Sequence, residues 1–212
     1  MSLEHTEMVT CPRCNKPNQV NVWQSLNGDL NPDAKQMLLD GILFHFKCQS
    51  FYHKCNLNYE LLYHDMKHQA MVYYTSLYSI EKTIEMINAT EETFRGGMPG
   101  YSIRIVTSQG TLREKAMIFE SGLDDRIIEI MKLIILTNAQ NQYPEAVIEA
   151  VFFSSVQGEE IIFELVSSVT LNAKIPFAVY RKLSEDYESR FKHAGNKERI
   201  VNSEWAQNFI TT

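Results

Sequence analysis

The sequence contains no apolar run approaching the roughly 18 residues that a membrane-spanning helix requires. Its most apolar stretch, residues 133–136, is far shorter and follows Lys132. No segment has the charged, apolar and small-residue order of a secretory signal peptide. We therefore expect a cytoplasmic protein with no membrane partner.

Positive charge is also scarce. The chain has 20 lysine and arginine residues against 26 aspartate and glutamate residues, which gives a net charge of −6. Proteins that bind nucleic acid carry basic patches, because neutralising phosphates supplies much of their affinity. No such patch is visible in this sequence, which argues against a nucleic-acid partner.

Short catalytic motifs are missing as well. The sequence has no Walker loop, no dinucleotide-binding glycine pattern, no Gly-x-Ser-x-Gly and no His-Glu-x-x-His. The glycine-rich run at 96–100 has no P-loop lysine and is predicted to be a plain loop. The motifs therefore favour no familiar class of enzyme.

Cysteine is absent after residue 55, although four cysteines lie in the first quarter of the chain. Cys11 and Cys14 belong to the run CPRC, and Cys48 and Cys55 belong to the run CQSFYHKC. In the cytosol thiols stay reduced, so paired cysteines there are more often metal ligands than disulfides. Structural zinc ions are bound tetrahedrally, mostly by cysteine thiolates. We therefore predict a structural zinc site formed by these four cysteines.

The run CPRC has the features of a metal-binding turn. Pro12 stiffens it. The residue after the second cysteine usually needs a left-handed backbone conformation, and Asn15 tolerates that conformation better than most residues do. The second pair is less regular, because Phe51 stands where another Cys-x-x-Cys would place its second sulfur.

Three interpretations of this irregular pair stay open. In the first, zinc is bound by Cys11, Cys14, Cys48 and either Cys55 or His53. In the second, no metal binds and the thiols are buried as small hydrophobic groups. In the third, Cys48 and Cys55 form a disulfide or a redox pair.

Two hydrophobic periodicities follow one another along the chain, which predicts an α+β protein. Period-two patterns predict strands at 8–10, 20–23, 42–47, 56–63, 69–75, 101–106, 146–154 and 161–167. Helical patterns and caps predict helices at 32–39, 79–89, 110–120, 123–137, 176–191 and 203–210. The strands before residue 75 are expected to form a small antiparallel sheet, with one helix inserted and the cysteines at two turns.

Several motifs together resemble the CpXC domain family of bacterial proteins. They are CPRC at 11–14, VNVW at 20–23, the stretch NPDAKQMLLDGILFHFKC that ends at Cys48, LLYHD at 61–65 and LREKAMIFESGLDDRIIEIMK at 112–132. The segment VFFSS…EEIIFELVSS is similar to the hairpin that often follows. The resemblance covers nearly the whole chain.

The resemblance implies a zinc-ribbon-like cysteine site and transfers no catalytic residue. The family pattern has a second CPxC, of which only Cys48 matches here, because Gln49 replaces the proline and Phe51 the final cysteine. We expect a CpXC-like domain at residues 6–139 and a C-terminal hairpin with helices at 140–212, packed on the first domain.

Two functional hypotheses follow. The leading one is a cytoplasmic binding or scaffold protein with a structural zinc site, and with helix 123–137 as a surface for a homo-oligomer or a protein partner. The alternative is a hydrolase or redox enzyme that uses His64, Asp65 and a cysteine. Against that alternative, the residues around 64–68 are predicted to form a turn in which Asp65 hydrogen-bonds the local backbone.

Overall fold

In the computed structural model the chain divides into a first unit, residues 1–116, and a second unit, residues 117–212. The structure describes residues 2–50, 52–93, 98–142, 145, 147–167, 171–194 and 197–211. The predicted domain division at 139/140 stays a prediction.

The first unit contains seven described strands and two helices. The strands are β1 Leu3–Thr10, β2 Pro17–Asn27, β3 His45–Lys47, β4 Lys54–Asn56, β5 Leu61–Asp65, β6 Ala70–Tyr74 and β7 Ser102–Val106. The helices are α1 Pro32–Leu39 and α2 Ile80–Thr93, with a 3₁₀ turn at Leu77–Ser79 before α2. A third helix, α3 Gln109–Glu120, runs across the boundary between the units.

The main sheet of the first unit has the strand order β1-β2-β5-β6-β7. The pairs β1–β2 and β5–β6 are antiparallel, whereas β2–β5 and β6–β7 are parallel. The α+β class is confirmed, but the prediction of an antiparallel N-terminal sheet is wrong, because this sheet is mixed. Parallel neighbours need a long crossover connection, and α1 and α2 lie within the two crossovers here.

Local sequence explains the elements before the first crossover. Side chains along β2 alternate between exposed and buried, with Val20 and Val22 buried, as a strand with one buried face requires. Helix α1 begins with Pro32 at its first position. It is followed by Gly41 at a φ of 72°, a conformation that favours glycine.

Two predicted strands are shorter in the structure. The predicted strand 42–47 begins only at His45, because the N–H groups of Ile42 and Leu43 both donate to the carbonyl of Met37 at the end of α1. The predicted strand 56–63 divides into β4 and β5, and Leu57 donates to the carbonyl of Phe44 outside any ladder. Helix-end capping therefore replaced sheet pairing at the start of β3.

One hydrophobic cluster of the first unit joins α2 to β6 and β7. Its buried members are Met71, Ile87, Ile103 and Ile105. A separate cluster lies beside β2, with Val20, Val22 and Leu57 buried. The first unit therefore has its apolar side chains in more than one group.

The second unit contains α4 Asp125–Gln142, β8 Ala150–Gln157, β9 Glu160–Val166, β10 Leu171–Pro176, α5 Phe177–Ala194 and α6 Ser203–Thr211. The strands form an antiparallel sheet in the order β10-β9-β8. The hairpin between β8 and β9 turns at Gly158, where φ is 61°. Ala146, the first residue of the predicted strand 146–154, lies outside the described residues.

The sequence prediction missed β10. The alternation of buried and exposed side chains along β10 is weak. Only Ala173 and Ile175 are partly buried, and the residues at both ends of the strand are exposed. The strand forms because its backbone pairs with β9, from Leu171 opposite Leu165 to Pro176 opposite Glu160. A proline fits there because the strand lies at an edge of the sheet.

Helix α4 supplies the centre of the second unit's core. Its residues Ile127, Ile128, Ile130 and Met131 are at most 2% exposed and pack with apolar side chains of the sheet and of α5 and α6. Much of this helix is therefore buried within the chain itself. Its use for self-association stays a prediction.

Among the described residues, every helix is too short or too polar to cross a membrane. This observation agrees with the sequence, in which apolar runs are short.

Phe163 of β9 provides a test of the second unit's core. It is fully buried, and its ring meets that of Phe153 edge to face at 6.2 Å. We expect Phe163→Ala to lower the free energy of unfolding by about 3–5 kcal/mol, since it removes a buried aromatic and leaves a cavity. Urea unfolding followed by circular dichroism measures this.

The matched control is Glu164→Ala, which changes the exposed neighbour on the same strand. We expect it to alter stability by no more than about 0.5 kcal/mol. Equal losses for the two variants would contradict the described orientation of β9.

Candidate metal centre

The first cysteine turn joins β1 to β2. The N–H of Cys11 donates to the carbonyl of Lys16 at 2.9 Å, and the N–H of Asn15 donates to the carbonyl of Cys11 at 2.9 Å. Asn15 has a φ of 55°. The predicted left-handed conformation of Asn15 is therefore confirmed, and we call the turn Cys11–Lys16 the first knuckle.

The turn between β3 and β4 repeats this backbone pattern. The N–H of Cys48 donates to the carbonyl of His53 at 3.0 Å, and the N–H of Tyr52 donates to the carbonyl of Cys48 at 2.8 Å. Tyr52 has a φ of 56°. The same hydrogen bonds and the same left-handed fifth position define a second knuckle, Cys48–His53, although Phe51 is not a cysteine and lies outside the described residues.

Sulfur atoms of the two cysteine runs, CPRC and CQSFYHKC, converge. The Sγ atoms of Cys14 and Cys48 are 3.6 Å apart, and those of Cys11 and Cys55 are 3.8 Å apart. Zinc–sulfur bonds of about 2.3 Å in a tetrahedron place neighbouring sulfurs about 3.8 Å from each other. Each of these two pairs therefore has the spacing of two thiolate ligands of a tetrahedral metal ion.

His53 adds a fifth donor. Its Nε2 lies 2.9 Å from the Sγ of Cys11. The donor atoms of Cys11, Cys48 and His53 all lie within 4.8 Å of one another, a grouping able to hold a metal ion. The four cysteines and His53 therefore offer five donors, one more than the four that a tetrahedral ion needs.

The cluster is shielded from solvent and its thiols are reduced. Cys11 and Cys48 are fully buried, Cys55 is 5% exposed and Cys14 is partly buried. All four cysteines are free. The disulfide interpretation of Cys48 and Cys55 is therefore not what the structure contains.

Ionisation is distributed unequally over the cluster. Burial opposes a charge on Cys11, but hydrogen bonds from the backbone N–H groups of Arg13 and Cys14 outweigh it. Together with the His53 ring they lower the pKa of Cys11 from 9.0 to about 6.

The pKa values of Cys14 and Cys55 change in the opposite direction. For Cys14, a backbone hydrogen bond from Lys16 favours the thiolate, but burial and the neighbouring thiols prevail and raise its pKa. Burial and then the contact with Cys11 raise the pKa of Cys55. A metal ion binds thiolates, so binding would release protons from such thiols.

Asp65 of β5 is the centre of a second group of polar side chains. It is fully buried. Its Oδ1 accepts the backbone N–H of His68 at 3.0 Å, and its Oδ2 contacts His68 Nδ1 at 2.9 Å. Lys35 Nζ and the hydroxyl of Tyr63 lie 3.4 Å and 3.3 Å from Oδ2. The predicted turn, with Asp65 bound to local backbone, is confirmed.

His64 points to a different set of partners. Its Nε2 lies 3.1 Å from the hydroxyl of Tyr101, and its Nδ1 lies 3.5 Å from Asn27 Nδ2. Burial lowers the pKa of His64, so the ring is neutral at neutral pH. His64 thus contacts Asn27 at the end of β2 and Tyr101 just before β7. Asp65 instead contacts α1 and the turn after β5.

The two groups lie at opposite ends of β2. The first knuckle immediately precedes Pro17, whereas Asn27 at the other end pairs with His64 of β5. Ten steps of about 3.3 Å separate Pro17 from Asn27, or about 30 Å of strand. The structure therefore does not bring His64 and Asp65 together with a cysteine, as the alternative enzyme hypothesis requires.

The fold and this cluster define an α+β protein whose N-terminal unit carries a cysteine and histidine centre able to hold a metal ion. The model of the CpXC protein family matches residues 9–132, which is more than half of the 212-residue chain. The chain belongs to the CpXC family. No curated protein and no solved structure matches the chain significantly.

Tyr52 tests the second knuckle. A non-glycine residue in the left-handed region costs about 1–2 kcal/mol, and Tyr52 is 71% exposed, so its ring has little packing to lose. We expect Tyr52→Gly to raise the free energy of unfolding by about 0.5 kcal/mol, because the greater freedom of unfolded glycine offsets part of the gain.

Tyr52→Val serves as the control, since a β-branched residue is poorly tolerated at this φ. We expect it to lower stability by about 1 kcal/mol, as measured by chemical denaturation. If glycine and valine destabilise equally, the second knuckle does not have the backbone described.

Asp65 gives a pH-dependent prediction. Burial opposes its ionisation, but the hydrogen bonds from His68 and the charge of Lys35 outweigh it and lower its pKa below 3.8. The ionised carboxylate therefore stabilises the fold above the unfolded-state pKa near 4. This stabilisation is lost as the pH falls through the lower, folded-state pKa.

We expect Asp65→Asn to lower the free energy of unfolding at pH 7 by about 3 kcal/mol, because it removes one partner of a buried ion pair. Below pH 3 the difference from the wild-type protein should shrink. Denaturation between pH 2 and 7 measures both effects, with the exposed Glu85→Gln as control. A constant difference across this range would contradict the lowered pKa.

Proposed function

We propose that the protein is a non-enzymatic binding or scaffold module whose N-terminal unit is held together by a structural zinc ion. Cys11, Cys14, Cys48 and Cys55 are the proposed ligands. The observation that carries this proposal is the convergence of the sulfurs of the first knuckle with those of Cys48 and Cys55, at 3.6 Å and 3.8 Å.

A structural role fits the surroundings of the cluster. Two hairpins, β1–β2 and β3–β4, each place one knuckle at the site, which supports a zinc-ribbon-like arrangement. Four protein ligands fill the coordination sphere of zinc and leave no position for a substrate or an activated water. Zinc bound in this way would add folding energy, and its soft thiolate ligands suit the ion.

The geometry favours Cys55 over His53 as the fourth ligand. Two ligands of one tetrahedral zinc, a sulfur and a nitrogen, lie about 3.6 Å apart. His53 Nε2 lies only 2.9 Å from Cys11 Sγ, the distance of a hydrogen bond. We assign His53 the role of donating a hydrogen bond to the Cys11 thiolate, as outer residues of metal sites commonly do.

A second ligand set has support of its own. The donor atoms of Cys11, Cys48 and His53 lie within 4.8 Å of one another, which supports an alternative set in which His53 replaces Cys55. Both sets contain nitrogen or sulfur donors suited to zinc, and they differ in the number of thiolates.

Metal analysis with two variants tests the proposal. We expect one zinc per chain by elemental analysis, and cobalt replacement should give a tetrahedral spectrum with strong thiolate charge-transfer absorption. Cys55→Ser should lose that metal or weaken the charge-transfer band. His53→Ala should keep the band while the affinity falls about 10- to 100-fold, the usual effect of removing an outer partner.

The opposite pattern, with the band unchanged in Cys55→Ser and altered in His53→Ala, would assign His53 as the ligand. Failure of the wild-type protein to bind zinc or cobalt after reduction would overturn the structural-metal proposal. As a further expectation, the reduced thiols suit a cytoplasmic location, and a homo-oligomer or protein partner would fit a scaffold role.

A further inference from the structure

A groove in the first unit lies between β2, α1 and β3. Its volume is about 610 Å³, which falls within the range of about 300–1,000 Å³ that is typical of ligand sites. Its lining includes both apolar and charged side chains, and none of them belongs to the proposed ligand set. It is therefore a feature separate from the metal centre.

Open strand edges border this groove. All three residues of β3 line it, whereas no residue of β4 does, so the groove follows the edge of β3 that faces away from β4. Within the described part of the chain, β3 pairs only with β4. The N–H of His45 already donates to the carbonyl of Ile42 at 3.0 Å, so an added strand would pair with the remaining backbone groups of this edge.

Among the residues that the structure describes, β2, the strand across the groove, also has an edge that is open over part of its length. β2 pairs with β1 along most of its length, but with β5 only from Ser25 to Asn27. Gln19, Asn21 and Trp23 line the groove from the part of β2 that precedes this parallel pairing. The two strand edges suit an extended chain segment better than a compact molecule.

The charges at the groove favour a basic occupant. Glu4 and Asp33 both line it and are exposed. Among the described residues neither forms an ion pair, although Glu4 accepts a hydrogen bond from Asn21 at 2.9 Å. Lys47 also lines the groove, and its Nζ lies 5.2 Å from the ring centroid of Tyr52.

Apolar surface and one buried nitrogen complete the groove. Leu30 is 62% exposed and Met37 is 39% exposed, and both line it beside the partly buried Trp23. His45 of β3 also lines it, and its buried Nδ1 has no hydrogen-bond partner in the part of the chain that the structure describes. A bound segment could supply that partner and cover the apolar side chains.

We propose that this groove binds an extended peptide segment of a partner protein, with lysine or arginine placed among apolar or β-branched residues. The segment adds as a strand to the open edge of β3, and its basic side chain lies near Glu4 and Asp33. Trp23 offers an aromatic face to the same cation. This inference rests on the proposed binding role, and it identifies the chemistry of the partner.

The proposed metal centre lies at the ends of two strands that form the groove. β2 follows the first knuckle, and β3 leads into Cys48 of the second knuckle. A metal ion that joins the knuckles would therefore fix the separation of the two strands that flank the peptide.

The test begins with a random heptapeptide display library selected on the full chain, both with and without added zinc. We expect enrichment of peptides that alternate lysine or arginine with apolar or β-branched residues. A synthetic peptide from that selection should bind less tightly as salt rises, and N-methylation of its alternate backbone nitrogens should abolish binding, because strand pairing needs those N–H groups. Selected peptides that are acidic, or no enrichment at all, would overturn the proposal.

Paired variants then locate the site. The double variant Glu4→Gln with Asp33→Asn should weaken binding of the selected peptide about tenfold, since it removes two exposed charge partners. The control Glu81→Gln with Glu85→Gln changes the net charge equally on exposed positions of α2, outside the groove, and should leave affinity unchanged. Equal weakening by both double variants would overturn the assignment of the groove.

The outcome separates this inference from the proposed function. A chain that binds one zinc but selects no basic peptide retains its structural metal and loses the peptide assignment. A chain that selects basic peptides without binding any metal loses the structural-zinc proposal and retains the groove.

Discussion

The meeting of sulfur atoms from two separate turns is the constraint on which the N-terminal unit depends. β3 and β4 have only three residues each, and a two-stranded hairpin of that size is not stable by itself in water. Contact between Cys14 and Cys48 and between Cys11 and Cys55 fastens this hairpin to the longer β1–β2 hairpin. All three residues of β3 in this hairpin line the groove.

β2 connects two regions with different chemistry. At one end, thiols and an imidazole form a cluster of soft donors at the knuckles. At the other end, Asp65 is buried among polar groups from α1, β5 and the turn after β5. Gly28 belongs to this second region, because a Cβ there would lie 2.9 Å from Lys35 Cδ and 3.0 Å from the hydroxyl of Tyr63. About 30 Å of strand separates the regions, so each contributes to the fold independently.

Local patterns predicted most elements and failed where backbone groups found other partners. The helices α1 to α6 are all present close to their predicted positions, because caps such as Pro32 and Asn202 act within a few residues. The start of β3 failed because Ile42 and Leu43 cap α1. β10 was missed because its formation depends on pairing with β9 rather than on its own weak alternation. The mixed direction of the main sheet depends on which strands become neighbours, and period-two patterning carries no information on that.

The sequence by itself determined the positions of the helices, the left-handed turn at Asn15 and the grouping of the cysteines into two runs, since each depends on residues adjacent in the chain. Only the tertiary structure decided that the two runs meet and that Tyr52 repeats the role of Asn15. The structure also placed His53 against Cys11 and His64 far from both. Contacts between distant residues depend on the register and order of strands, which the side-chain pattern of any one segment does not specify.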